Sequence, residues 1–322
     1  MQRMHCEKER GRFVRRLGNA LAIVNPAAQN GNGARGAAFL RYAGASDASP
    51  FRSLSIETTR EPGHARVLAA SAGSYDTVVV VGGDGVVHET VAGLLEIPRD
   101  QRPVLGLVPC GNGNDYARTL GMPFAFDAAF AALSRAVPRA VDVGIVNGTP
   151  FMQTLSFGLD AAIALGAHER RVKTGHMGTR LFLEEGIEQL VFHRDEYPYE
   201  LSIDGAASER SSMFLFAVQI GPTYGGGFAI CPEADPFDGA FDCCIAHPPI
   251  GFARAARLFL KAKDGKHTGS TDVLSFCRAE RLTVSFASPP PAQVDGERIV
   301  GDRFDISILP REIDVLFLDR RA

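Results

Sequence analysis

The sequence predicts an α/β N-terminal domain, a parallel sheet covered by helices, followed by a mostly β C-terminal sandwich domain. Three observations carry this. A chain of 322 residues is longer than one hydrophobic core usually grows. Its first 140 residues alternate strand-like and helix-like segments, the signature of a parallel sheet with helical crossovers. From about Val141 the strand-like runs follow one another directly, with turn signals between them. The predicted domains are therefore residues 1–140 and 141–309, with a final segment, about 310–322, returning to the first.

In the first domain LAIVNP, LSIETT, TVVVVGG and VLGLVPCG are the strands. GHARVLAASAG and VVHETVAGLLE lie between them, and Val87, Val91, Leu94 and Leu95 recur at helical spacing. FDAAFAALSRAV reads as a last helix that stops before Pro138. In the second domain Asn147-Gly148 joins two strand-like runs, the strongest short-range hairpin signal, and Asp204-Gly205 marks a second hairpin after YELSI. MFLFAVQI, FDCCIAH, DVLSFC, RLTVSF, RFDISIL and IDVLFL are further strands. One helical interruption, roughly Asp160 to Phe192, contains the cation-rich stretch HERRVKTGHMGTR, read as a solvated face or as a contact for anionic lipid headgroups.

Composition narrows the function classes. Hydrophobic residues make up 45% and charged residues 22%, ordinary for a globular protein. The formal net charge of -3 argues against a nucleic-acid partner. The six cysteines, at positions 6, 110, 231, 243, 244 and 277, fit neither a disulfide framework nor zinc-ligand spacing, which points to a reducing cytoplasm. His88, His168 and His193 show no metal spacing either. No apolar run reaches the roughly 18 residues of a membrane-spanning helix. The basic start of the chain fits a segment leading into a first buried strand better than a secretory signal.

The stretch TVVVVGGDGVVHE holds the first chemical signal. In open α/β sheets ligands bind beyond the carboxyl ends of the strands, and Gly82, Gly83 and Gly85 stand at such an end. Glycine lets a bulky anion approach the backbone, and N–H groups at the start of the following helix favour phosphate. Asp84 places negative charge there, so a metal–nucleotide complex fits better than bare phosphate. Neither GxGxxG nor GxxxxGK[ST] is present. A second glycine-rich turn, PCGNGNDYARTLG, follows the next strand. Asn25 and Thr59 close the first and second strands.

GGDGVVHE followed by PCGNGNDYAR resembles the catalytic domain of the diacylglycerol kinase superfamily, which includes bacterial soluble lipid kinases and the sphingosine and ceramide kinases. SFGLDA, YGGGFAICPEADPFDGAFD and VDGE resemble that family's later motifs in the right order, so the likeness runs from about residue 20 to the C-terminus. It implies an NAD-kinase/phosphofructokinase-like first domain. It implies an ATP-dependent lipid kinase, with diacylglycerol or a related lipid as acceptor, Mg²⁺ as partner of ATP, and peripheral action at a membrane surface from the cytoplasm. By the same resemblance Gly82, Gly83, Asp84 and Gly85 bind the ATP phosphates with Glu89 beside them, Asn25 and Thr59 line the nucleotide cleft, and Gly111, Asn112, Gly113, Asn114 and Asp115 complete it. Asp295 resembles the general base, Glu297 its neighbouring carboxylate, and Asp84 a further catalytic carboxylate. Asp235, Asp238 and the Ala240 carbonyl resemble a structural Mg²⁺ site.

This chain departs from the commonest bacterial pattern at Val86, where many members have Thr, at His88, where many have Asn, and at Asn112, where many have Thr. Val86 removes one hydroxyl donor to phosphate. The pair Val86 and His88 is closer to the sphingosine and ceramide kinases, which keeps that substrate class as an alternative. NAD kinase, which shares the GGDG likeness but not the later motifs, and a noncatalytic nucleotide or lipid sensor are the others. The lipid-pocket candidates Phe157, Phe182, Leu183, Phe214 and Phe228 read equally as core. Edge strands of the β-rich half allow pairing as a homodimer.

Overall fold

The computed structural model describes residues 17–174, 179–192 and 195–318. Cys6, His193, the basic start of the chain and residues 175–178 of the cation-rich stretch lie outside the described residues, as do the side chains of His168 and of residues 171–173. Contacts divide the chain into two compact units, residues 1–140 with 313–322, and residues 141–312.

The first unit opens with β1 (Asn19–Val24), α1 (Ala28–Gly44), β2 (Ser53–Thr58), α2 (His64–Ala70) and β3 (Thr77–Gly82). It continues with α3 (Asp84–Leu94), β4 (Val104–Pro109), α4 (Asp115–Thr119) and α5 (Phe126–Leu133). The strands run parallel in the order β2-β1-β3-β4. Every residue of β3 is buried, as its unbroken valine run demands of a central strand covered on both faces. Helix α1 was not among the expected helices. It has no side-chain N-cap and its glycines blur any periodicity, so packing rather than local signal holds it, with Phe39 edge-on to Phe126 and Phe130 at 5.3 and 5.6 Å. The last expected helix stops at Leu133, short of the predicted end, because the chain turns into a strand at Val137.

That strand, β5 (Val137–Val146), leads into the second unit, and Asn147 and Gly148 turn it back into β6 (Thr149–Phe151) with φ of +47° and +84°. β7 (Thr154–Gly158) is followed by α6 (Leu159–Thr174) and α7 (Thr179–Phe192), then β8 (Tyr197–Ile203), β9 (Glu209–Met213), β10 (Leu215–Gln219) and β11 (Phe241–Ala246). α8 (Phe252–Ala262) precedes β12 (Leu274–Ala279), β13 (Arg281–Phe286), β14 (Ala292–Val294), β15 (Glu297–Ile299) and β16 (Arg303–Phe317). One sheet has the order β12-β11-β10-β7-β14-β15, and the other pairs β16, β13, β8 and β9 in antiparallel fashion. Their facing side chains make one core in which Phe157 lies within 5.8 Å of Phe216, Phe286 and Phe304. This is the sandwich that the sequence predicts.

Two expectations need correction here. The helical interruption is not single: α8 is a second one, its Ala255, Leu258 and Ala262 turned inward beside Phe259. RFDISIL and IDVLFL are not separate strands but the two ends of β16. The chain passes Pro310 and Arg311, the latter at φ +52°, without leaving the ladder, because the buried Asp142 carboxylate accepts the Arg311 N–H at 2.7 Å.

Candidate active site

The two glycine turns of the first unit meet backbone to backbone. Gly83 is the N-cap of α3, and a Cβ added there would stand 2.8 Å from the Gly111 Cα, while one added at Gly111 would stand 2.3 Å from the Gly83 Cα. No side chain fits at either position, whatever its conformation. Asn114, in the left-handed region at φ +52°, closes the second turn: its Oδ1 accepts the Gly111 N–H at 2.7 Å and its Nδ2 donates to the Gly111 carbonyl at 2.9 Å. Asn112 and Gly113 form the half-buried tip of that turn, and the Gly113 carbonyl accepts from Arg118 at 3.3 Å.

Asp84 ties the turns together. Its Oδ1 accepts the N–H of Tyr116, in the first turn of α4, at 3.0 Å. The expected catalytic carboxylate therefore has a structural task in this structure. Asp115 pairs with Arg118 at 3.2 Å. Glu89, one turn further along α3 from Gly85, accepts the Ala65 N–H at 3.1 Å at the start of α2, where negative charge suits the helix dipole. Asn25 turns the chain after β1, its Oδ1 accepting the Ala27 N–H at 3.0 Å, and the Thr59 N–H donates to the Val24 carbonyl at 2.8 Å. Gly82 ends β3. Sequence reasoning missed Gln29, whose Nε2 donates to the Gly111 carbonyl at 2.7 Å from the first turn of α1. The run QNGNG, two residues after Asn25-Pro26, was its only signal.

In the second unit Asp295 and Gly296 make the turn between β14 and β15, at φ +47° and +93°. Both Asp295 carboxylate oxygens face the entry to β7. Oδ2 accepts the Met152 N–H at 2.8 Å, and Oδ1 accepts those of Gln153 and Thr154 at 3.0 Å each. Glu297 opens β15 and is exposed.

Asp235 and Asp238 hold their own loop. Asp235 Oδ1 accepts the Phe237 N–H and Asp238 Oδ1 the Ala240 N–H, both at 3.1 Å, while Asp238 Oδ2 pairs with Arg278. Burial, reinforced by the charges of Asp238 and Asp235, holds the carboxyls of Asp142 and Asp242 above their ordinary range. An oxygen-only set under that crowding fits a hard cation in donor type. Among the described residues no three His, Cys, Asp or Glu side chains gather closely enough to hold a metal by themselves, so such an ion would need the Ala240 carbonyl and water.

Residues 19–146 match the family model of the diacylglycerol kinase catalytic domain, and residues 153–317 match that of the YegS C-terminal NAD kinase beta sandwich-like domain. A diacylglycerol kinase of Bacillus subtilis (strain 168) is 31% identical over 225 residues, covering 69% of this chain and 71% of its own. The chain belongs to the diacylglycerol kinase catalytic-domain family. A probable YegS-like lipid kinase of Pseudomonas aeruginosa (strain PAO1) is 28% identical over 86% of this chain and 88% of its own. The crystal structure of a diacylglycerol kinase from Bacillus anthracis superposes with a TM-score of 0.77 at 24% identity, covering 94% of this chain and 98% of that one. An archaeal NAD kinase from Archaeoglobus fulgidus, solved with ATP, shares the fold at a TM-score of 0.52 and 14% identity. As a member of the diacylglycerol kinase catalytic-domain family, this chain is a lipid kinase, and ATP use follows from the family. No helix among the described residues is long and apolar enough to cross a membrane.

Proposed function

We propose that this chain transfers the γ-phosphate of magnesium-bound ATP to the free hydroxyl of diacylglycerol or a closely related neutral lipid, acting peripherally at the cytoplasmic face of a membrane. The observation that carries the reading is the closed contact of Gly83 with Gly111, cross-braced by Asp84 and Gln29. It brings two glycine-rich backbone turns together at adjacent strand ends, the place where open α/β sheets bind ligands. Phosphoryl transfer is catalysed mainly by positioning and charge neutralisation, and Mg²⁺ supplies the latter when bound with ATP.

The turns Gly82 to Gly85 and Gly111 to Asp115 would hold the phosphates, with Asn25 and Thr59 toward the rest of the nucleotide. Asp295 would take the acceptor proton, a role worth about 10²- to 10⁴-fold in rate, with Glu297 beside it. Asp235, Asp238 and the Ala240 carbonyl would hold a structural Mg²⁺.

The test is transfer of labelled phosphate from Mg²⁺-ATP to detergent-dispersed diacylglycerol, monoacylglycerol, sphingosine, ceramide and phosphatidylglycerol, with NAD as a soluble control. Labelled diacylglycerol with wild-type protein, and a loss of at least about a hundredfold with Asp295→Asn, is the expected result. Label in sphingosine or ceramide alone would move the substrate to the class suggested by Val86 and His88. Label in NAD alone would overturn the lipid reading.

A further inference from the structure

We propose that Ser156 and Gln293 form a buried hydrogen-bonded chain that positions the Asp295 turn, so that both are positioning residues for the transfer. The inference rests on Asp295 acting as the acceptor base.

Gln293 and Ser156 face each other across β14 and β7, and both are fully buried. Gln293 Nε2 donates to the Ser156 Oγ at 2.7 Å, and Gln293 Oε1 accepts the Gly296 N–H at 2.7 Å. These two partners settle which end of the amide is oxygen. The Gln293 donor occupies a lone pair of the Ser156 hydroxyl, and the Asp160 carboxyl, in the first turn of α6, lies near that end. The two donors point the same way, from the Gly296 N–H through Gln293 to Ser156. Chains of one polarity strengthen each other in a low-dielectric interior.

Asp160 stands near the Ser156 end of the chain. Burial pushes the Asp160 carboxyl up to about 6, opposed by hydrogen bonding from Ser156 and by the nearby Tyr224 hydroxyl. Asp160 Oδ2 and the Tyr224 hydroxyl lie off the geometry of a formed bond with each other. A carboxylate buried among apolar groups marks functional sites more often than it stabilises a core.

The near end is the Asp295-Gly296 turn itself, gripped from two sides. Backbone N–H groups of residues 152 to 154 hold the Asp295 carboxylate, and Gln293 holds the Gly296 N–H. Removing the Gln293 grip leaves the carboxylate tethered but its backbone free to rock, and small displacements of a reacting group cost rate steeply. SFGLDA and VDGE, distant in sequence, are thus two parts of one device.

The test uses the full chain and the lipid that the panel identifies. Gln293→Met is expected to lower kcat at least tenfold with KM for ATP within twofold of wild type. Ser156→Ala is expected to lower kcat severalfold, and Ser156→Thr, which keeps the hydroxyl, to restore it. In an Asp295→Asn background Gln293→Met is expected to cause no further loss, because the group it positions is already disabled. Amide exchange in the 292–299 hairpin should quicken in Ser156→Ala. Folded Gln293→Met and Ser156→Ala proteins with kcat within twofold of wild type would overturn the proposal, as would equal losses in Ser156→Ala and Ser156→Thr, which would mean packing alone. If wild type labels no lipid, the proposed function falls while hairpin exchange in Ser156→Ala still decides whether the chain positions the turn.

Discussion

The glycine turns of the first unit and the Asp295 hairpin of the second are both held tightly, by opposite means. At Gly83 and Gly111 the fit comes from side chains that are missing: two backbones touch, and a single added carbon has nowhere to go. At Asp295 it comes from side chains that are present, with Gln293 and Ser156 bracing a turn around which there is open space. The first arrangement should fail abruptly on any addition. The second should fail by degrees as its bonds are removed one at a time.

The largest effect that would sharpen this contrast is Gly111→Ala. The new methyl would overlap the Gly83 Cα, costing about 3 kcal/mol or a separation of the turns. ATP affinity by calorimetry is expected to fall at least a hundredfold, and unchanged affinity would break the comparison.

Next comes Asp160. Its pKa in the folded protein, about 6, lies above its ordinary value, so the native state holds its proton more tightly than the unfolded chain does. Stability therefore declines as pH rises from about 4 to about 6, by on the order of 2 kcal/mol or more from this group. Urea unfolding of wild type and Asp160→Asn at pH 4.5 and pH 7 checks it: the variant should lose that part of the decline, and identical slopes would refute it.

The smallest effect is expected at Gly296→Ala. Nothing lies within 4 Å of a Cβ there, so the cost is only that of placing alanine at φ +93°, about 1 to 2 kcal/mol by thermal unfolding.

Legibility in the sequence followed the same division. Elements with a strong local signal were readable: the valine run of β3, the glycine-rich turns, and the Asn147-Gly148 and Asp204-Gly205 hairpins. Helix α1 was not, since its hold is Phe39 against residues about ninety positions away. β16 was misread because Pro310 normally ends a strand, and the compensating partner, Asp142, lies far upstream. Ser156 stood inside a recognised motif, yet its link to Gln293 depends on a register between β7 and β14 that no local pattern encodes. Gln29 likewise acts through a fold-dependent approach to Gly111.

The double allegiance of β16 has a consequence for how the protein is made. Its last part supplies the strand beside β4, with Val315 opposite Leu105, although everything else in the first unit is complete by residue 140. During synthesis that unit therefore waits with the edge of β4 bare while some 170 further residues leave the ribosome, roughly ten to thirty seconds at ordinary elongation rates. An unpaired edge beside a buried valine strand is a site for mispairing over that interval. The unit that carries the glycine turns is closed only after the strands of the other unit have been made.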